Sequence, residues 1–292
     1  MEKIRGAYTA IVTPFNSDGS VNWGQLKELV DYNIDGGVDG IVPVGTTGES
    51  PSLTEEEHKS VIKKVVEYVD GRGKVFAGTG SNCTKAAVEF TEFAKSAGAD
   101  AALVVNPYYN KPTQQGLFEH FTAIAEVGLP VIVYNIKGRT GVNVETNTLM
   151  RLAENKNIVA VKEASGDIQQ LMDVIAQRPD NFSVLSGDDN MTFPLMCLKG
   201  DGIISVASNI VPERISKMVK CLLDGDLENA RKRHYELLPL CRAIFIETNP
   251  IPIKACLAMK GLIGENYRLP LCKMGAENRA KLEQVLKKLE II

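Results

Sequence analysis

A lysine that closes an apolar run is the most chemically suggestive residue of the chain: Lys162 follows Ile158-Val159-Ala160-Val161. An amine set into or just above a low-dielectric interior loses ammonium hydration, which lowers its pKa, and a neutral amine is the nucleophile that forms an imine with a keto acid. The plainer alternative is a strand-end lysine whose stem packs while its head reaches water. Polar stretches behind other apolar runs offer complementary groups. In Gly45-Thr46-Thr47-Gly48-Glu49-Ser50, a glycine-flanked turn presents backbone N–H groups and paired hydroxyls that suit a carboxylate. Such a turn also simply reverses a chain, and it lacks the Gly-Lys-Ser/Thr of a phosphate-binding loop. Tyr109, in Asn106-Pro107-Tyr108-Tyr109, and Tyr134, before Asn135, have phenol hydroxyls able to relay protons together with Thr46; otherwise they are rim aromatics with satisfied hydroxyls. Arg139 suits a bidentate grip on a second carboxylate, or a surface ion pair.

These residues belong together only if the elements before them end at one place. Eight apolar runs can be counted: Ala7–Val12, Gly40–Val44, Val75–Gly78, Ala101–Val105, Val131–Tyr134, Ile158–Lys162, Ser183–Ser186 and Gly202–Val206. They are continuous, not alternating, as expected of parallel strands covered on both faces. Helix signals lie between them. Thr54-Glu55-Glu56-Glu57 resembles a capping box, Thr84, Thr113 and Pro212 can open helices, and Asp35-Gly36-Gly37 and Ala97-Gly98-Ala99-Asp100 can end them. The expected fold is α/β, a (β/α)8 barrel (TIM barrel), whose chemistry gathers at the C-terminal ends of the strands. A barrel takes about 250 residues, and no strong β-like run follows Asp224. Residues 1–224 therefore read as the barrel and 225–292 as a C-terminal helical appendix, amphipathic helices interrupted at Asn249-Pro250 and Leu269-Pro270. No Pro-, Gly- or Ser-rich linker separates the two parts, so the appendix is expected to pack on the barrel.

Composition narrows the ligands. A formal charge of −3 on 292 residues, with both signs interspersed, argues against nucleic acid or an anionic membrane as partner. No secretory signal pattern or long apolar stretch is apparent, and the cytoplasm is the expected location. The six cysteines form no C-x-x-C pair and are expected to be reduced and mostly buried. His58 reads as part of a solvated helix face, and none of the three histidines stands at metal-ligand spacing, so no metal is expected.

The motifs Gly45-Thr46-Thr47-Gly48-Glu49-Ser50, Pro107-Tyr108-Tyr109-Asn110, Tyr134-Asn135 followed by Arg139-Thr140-Gly141, and Val161-Lys162-Glu163 resemble those of the dihydrodipicolinate synthase family of pyruvate-dependent aldolases, over essentially the whole chain. The resemblance implies a lyase of lysine and diaminopimelate biosynthesis that condenses pyruvate with L-aspartate 4-semialdehyde without a cofactor. It implies that Lys162 forms the Schiff base, that Tyr134, Thr46 and Tyr109 relay protons, with Tyr109 reaching across a subunit interface, and that Thr47 holds the pyruvate carboxylate. The Ile204 carbonyl would line the pocket and Arg139 would bind the semialdehyde carboxylate. A homotetramer built from tight dimers is the implied assembly. Related alternatives are an N-acetylneuraminate lyase or a 2-keto-3-deoxy-sugar aldolase; a non-catalytic keto-acid-binding regulator is a third. Two departures stand out. Ile136-Lys137-Gly138-Arg139 replaces a Pro-containing loop, which suggests a mobile Arg139, and Glu55 and Ala86 replace a His and a Glu that help bind inhibitory lysine, which suggests weak or absent feedback.

Overall fold

The computed structural model describes residues 3–292. Eight parallel strands close in sequential order: β1 (Gly6–Ala10), β2 (Gly40–Val42), β3 (Lys74–Gly78), β4 (Ala101–Val105), β5 (Val131–Asn135), β6 (Ile158–Glu163), β7 (Ser183–Ser186) and β8 (Gly202–Ser205), with β8 pairing back to β1. The expected strands are all present. Their ends are shorter where the chain leaves the sheet for the rim of the barrel, as after Val42 and Ala10.

Local signals place the helices between them. α1 (Trp23–Asp35) ends at Gly36, and Gly37 takes φ +83, a conformation open to glycine without steric cost. α2 (Glu55–Val69) starts with the full capping box, the Thr54 side chain accepting from the Glu57 amide and the Glu57 carboxylate accepting from the Thr54 amide. Next come α3 (Thr84–Ser96), α4 (Gln114–Ala125) capped by Thr113, the short α5 (Lys137–Thr140), α6 (Thr146–Ala153), α7 (Ile168–Gln177), α8 (Thr192–Cys197) and α9 (Pro212–Leu223), which has proline in its first turn. The appendix comprises α10 (Leu227–Ala243), α11 (Ile251–Met259) and α12 (Ala276–Lys288). α11 departs from the expected amphipathic pattern. Every residue from Ile251 to Leu257 is buried, so this helix is an internal strut and not a surface cover.

Two apolar clusters result. A large one lies between strands and helices; a smaller one fills the barrel, with Tyr8, Phe76, Leu103, Ile132, Leu185 and Ile204 among its members. One irregularity matters for the site. Val131 pairs with Ile158, but Ile132 pairs with Ala160, so β6 gains one residue on β5. This β-bulge reverses the facing of β6: Ile158 joins the outer cluster and Ala160 the inner one, although an unbroken strand would put both on one face. Lys162, two residues on from Ala160, is thereby aligned with Tyr134.

Two expectations need correction. His58 is 6% exposed; its Nε2 lies 2.8 Å from the Gly78 carbonyl and its ring stacks on Phe90. It stands three and four residues before Val61 and Ile62 on the buried stripe of α2, and burial lowers its pKa. The cysteines are all free, but only Cys241 and Cys256 are buried; Cys83, Cys197 and Cys272 are exposed. Among the described residues no helix is long and apolar enough to cross a membrane.

Candidate active site

Lys162 sits near the C-terminal end of β6, 4% exposed, and its Nζ lies 4.1 Å from the centroid of the Tyr134 ring. Burial pushes the amine down to about 8. Asp188 and Asp189 oppose that effect and Arg139 adds to it. Space for the side chain is left by Gly187: a Cβ there would come within 3.1 Å of the Lys162 Cε and 2.6 Å of the Ala164 Cβ. Burial also raises the Tyr134 hydroxyl, to about 12, while a hydrogen bond with Thr46 works the other way. The phenol is therefore protonated at neutral pH and available to give that proton up and take it back.

Outside the barrel wall the same two strand ends are locked together. Asn135 donates to the Glu163 carboxylate at 3.2 Å and to Asn143 at 2.9 Å, and its own oxygen accepts from the Val144 amide. The register pair Asn135–Glu163 thus directly follows the register pair Tyr134–Lys162.

The Gly45–Ser50 segment folds as a tight turn in which the amides of Gly48 and Glu49 bond back to the Gly45 and Thr46 carbonyls. Thr47 is buried and its Oγ1 accepts a hydrogen bond from Asn249 Nδ2 at 3.0 Å. Glu49 takes the left-handed conformation at φ 54 and forms a buried ion pair with Lys254 of α11, whose Nζ also donates to the Thr13 carbonyl. The appendix therefore holds the turn from behind. Burying an ion pair is tolerable here because a second donor of Lys254 reaches the Thr13 carbonyl and the ring of Phe15 faces its Nζ at 4.4 Å.

Arg139 lies in the helical turn α5, where its Nη2 donates to the Asn249 carbonyl at 2.9 Å. Thr140 beside it is held by the Asn106 amide at 3.1 Å. Arg139, Thr46 and Thr140 line a cavity of about 380 Å³ that extends past Ser50, Glu55 and His58. Ile204 is fully buried inside the barrel on β8.

Of the residues singled out in the sequence, Lys162, Tyr134 and Thr46 come together; Arg139 lines the cavity beside Thr46, while Thr47 is buried within the turn. Tyr109 does not join them within one chain. It is 90% exposed, and at φ 75 it occupies a left-handed conformation that costs a bulky side chain energy. Sequence reasoning missed Gly187, Asp188 and Asn249. The first two directly follow β7, so the strand-end rule that selected Lys162 would have found them. Asn249 precedes a helix outside the barrel, and no barrel rule points to it. Among the described residues no group of three or more His, Cys, Asp or Glu is placed to hold a metal ion.

Residues 3–289 match the model of the dihydrodipicolinate synthetase family. The chain belongs to that family. It is 52% identical over 285 residues to a 4-hydroxy-tetrahydrodipicolinate synthase of Koribacter versatilis, covering 97% of this chain and 95% of that protein. It is 51% identical over 290 residues to one of Methanocaldococcus jannaschii, covering 99% of each. Among solved structures, a dihydrodipicolinate synthase from Aquifex aeolicus superposes with a TM-score of 0.97 at 46% identity, covering 99% of each chain. Shared membership of the dihydrodipicolinate synthetase family accounts for the barrel, the appendix and the order of the motifs together.

Proposed function

We propose that the protein is a 4-hydroxy-tetrahydrodipicolinate synthase, a lyase of lysine and diaminopimelate biosynthesis that joins pyruvate, held as a Schiff base on Lys162, to L-aspartate 4-semialdehyde. The activity is that of its relatives by name. The observation that carries the reading is the buried Lys162 amine, pushed down to about 8, set over the Tyr134 ring. In this reading residues 1–224 supply the chemistry and residues 225–292 brace it.

Neutral Lys162 attacks the C2 carbonyl of pyruvate while Thr47 and the turn's backbone hold the carboxylate and the Ile204 carbonyl lines the pocket. Tyr134 gives its proton to the departing hydroxyl, water leaves and the imine forms. The resulting phenolate takes a proton from the methyl carbon, which yields an enamine with the protonated imine nitrogen as the electron sink. The enamine carbon attacks the aldehyde of the semialdehyde, whose carboxylate Arg139 grips, and Tyr134 gives the methyl-derived proton to the aldehyde oxygen as it becomes a hydroxyl. The substrate amine then displaces Lys162 from the imine carbon and closes the ring. Thr46 passes protons between Tyr134 and the rim. Tyr109, exposed on a strained backbone, completes the relay from a second copy of the chain, in a homotetramer of tight dimers working in the cytoplasm. No metal or organic cofactor takes part in these steps.

Pyruvate consumption with aspartate semialdehyde, compared with N-acetylmannosamine, in the wild type and in Lys162→Ala, tests the reading. Turnover with the semialdehyde alone, abolished by the substitution, is expected. A preference for the sugar would keep the Schiff base and overturn the Arg139 assignment. No reaction with either, and no pyruvate adduct trapped by borohydride, would point to a binding protein.

A further inference from the structure

Asn249 stands between the two carboxylate-binding residues without belonging to the barrel. Its side chain Nδ2 donates to Thr47 Oγ1 at 3.0 Å, and its main-chain carbonyl accepts from Arg139 Nη2 at 2.9 Å. It directly precedes α11, and Lys254 of that helix is ion-paired to Glu49, two residues beyond Thr47. One strut thus reaches the turn at two points.

We propose that Asn249 is a positioning residue that sets the polarity of Thr47, turning its hydroxyl into a donor for the keto-acid carboxylate. This rests on Thr47 as the residue that holds that carboxylate. An amide nitrogen only donates, and a threonine hydroxyl has a single proton. With a lone pair of Thr47 Oγ1 engaged by Asn249, the hydroxyl proton points away from Asn249 and is left to donate to the keto-acid carboxylate of the proposed function. The other end of the amide supports a functional role. Asn249 is buried, yet its Oδ1 has no hydrogen-bond partner among the described residues. A purely packed position has no use for an amide with half its bonding capacity unmet, whereas a donor aimed at Thr47 does.

The isosteric Asn249→Asp variant separates polarity from shape. Its carboxylate accepts the Thr47 proton and faces the substrate anion, so the KM for pyruvate is expected to rise roughly tenfold to a hundredfold, the span of one charge-assisted hydrogen bond. The KM for the semialdehyde should move less than about threefold, because the Asn249 main chain still holds Arg139. Asn249→Ala, which removes the donor without adding charge, should fall between Asn249→Asp and the wild type. Borohydride trapping of acetone, a ketone without a carboxylate, at about pH 9, where the Lys162 amine is mostly neutral, should be equal in all three proteins. A wild-type KM for pyruvate in Asn249→Asp would overturn the proposal. So would acetone trapping that falls in parallel with pyruvate binding, since that is the mark of a merely structural residue. Failure of the wild type to trap pyruvate on Lys162 would instead remove the functional reading beneath it.

Discussion

Lys162 and Tyr134 are register partners on adjacent parallel strands, with the lysine Nζ 4.1 Å from the centroid of the tyrosine ring. The net effect of its surroundings on this amine is downward, to about 8 from 10.5, because burial, aided by Arg139, outweighs the two aspartates. At pH 7 about one lysine in ten is neutral, against about one in three thousand for an ordinary lysine. The initial rate of pyruvate adduct formation below saturation should therefore climb roughly tenfold per pH unit up to about 7 and level off above 8. Rapid borohydride quenching across pH 6–10 measures it. A limb near 10.5 would show that the amine is not desolvated. Asp188→Asn should move the limb to lower pH, because Asp188 holds the amine's pKa up.

Gly187 provides a steric test of the same geometry. A methyl group there meets the Lys162 Cε at 3.1 Å and the Ala164 Cβ at 2.6 Å, so Gly187→Ala should displace the lysine from Tyr134. The expected loss in kcat is at least about tenfold, in line with the sensitivity of rates to small misplacements, with a stability cost of about 1–3 kcal/mol for overpacking. Single-turnover trapping and thermal melts report the two separately. Unchanged trapping would show that the site relaxes around the methyl.

Much of this arrangement was legible in the sequence. Continuous apolar runs with helix caps between them specify a parallel sheet, and eight of them specify a barrel, so the sequence alone places Lys162, Tyr134 and Thr46 on one rim. The alignment of Lys162 with Tyr134 was not legible. It depends on the bulge between Val131 and Ile132, which leaves no mark in a run as uniform as Ile158-Val159-Ala160-Val161. His58 was misread because its charged neighbours Glu55, Glu56, Glu57 and Lys59 hide that it heads the stripe Val61, Ile62, Val65 and Val69. Asn249 was invisible because its partners, Thr47 and Arg139, lie 202 and 110 residues away in sequence.

The Arg139 turn joins a loosening residue to firm anchors. Gly138 lies in α5, and a Cβ at this position would touch nothing within 4 Å. Gly138→Ala should therefore stabilise the turn by about 0.4–1 kcal/mol through the unfolded or opened state. Hydrogen exchange at residues 137–141 is expected to be faster in the apo protein than with pyruvate bound, and slower in the alanine variant than in the wild type. Equally slow exchange in apo and pyruvate-bound protein would show that Asn249 and Asn106 already fix Arg139.

Feedback by lysine should be weak or absent. Glu55 lines the 380 Å³ cavity beside His58, Ser81 and Tyr108, where its carboxylate is already paired with Lys59. An anion there opposes a ligand carboxylate, and Ala86 offers nothing to an ammonium. Turnover in the presence of millimolar lysine should stay near that of the free enzyme. Half-inhibition in the micromolar range would overturn this expectation.

Lys162 should also be a site where activity is held against stability. A base whose folded-state pKa is depressed destabilises the fold at every pH where it must be charged in the unfolded chain. The penalty is full below about 8, shrinks as pH rises and vanishes above 10.5. The interval corresponds to about 3 kcal/mol at pH 7. Lys162→Met, which keeps the length and removes the charge, should thus raise the melting temperature at pH 7 while abolishing turnover. The gain should be smaller than the full figure because the attraction of Asp188 and Asp189 for the ammonium is lost, and it should decline between pH 8 and 10. Melting the two proteins at pH 6.5, 8 and 9.5 checks both sign and slope. A methionine variant less stable than the wild type at pH 6.5 would mean that the aspartates outweigh burial and hold Lys162 as a charged, stabilising ion. In that case the amine could not be the pre-formed neutral nucleophile that imine formation requires.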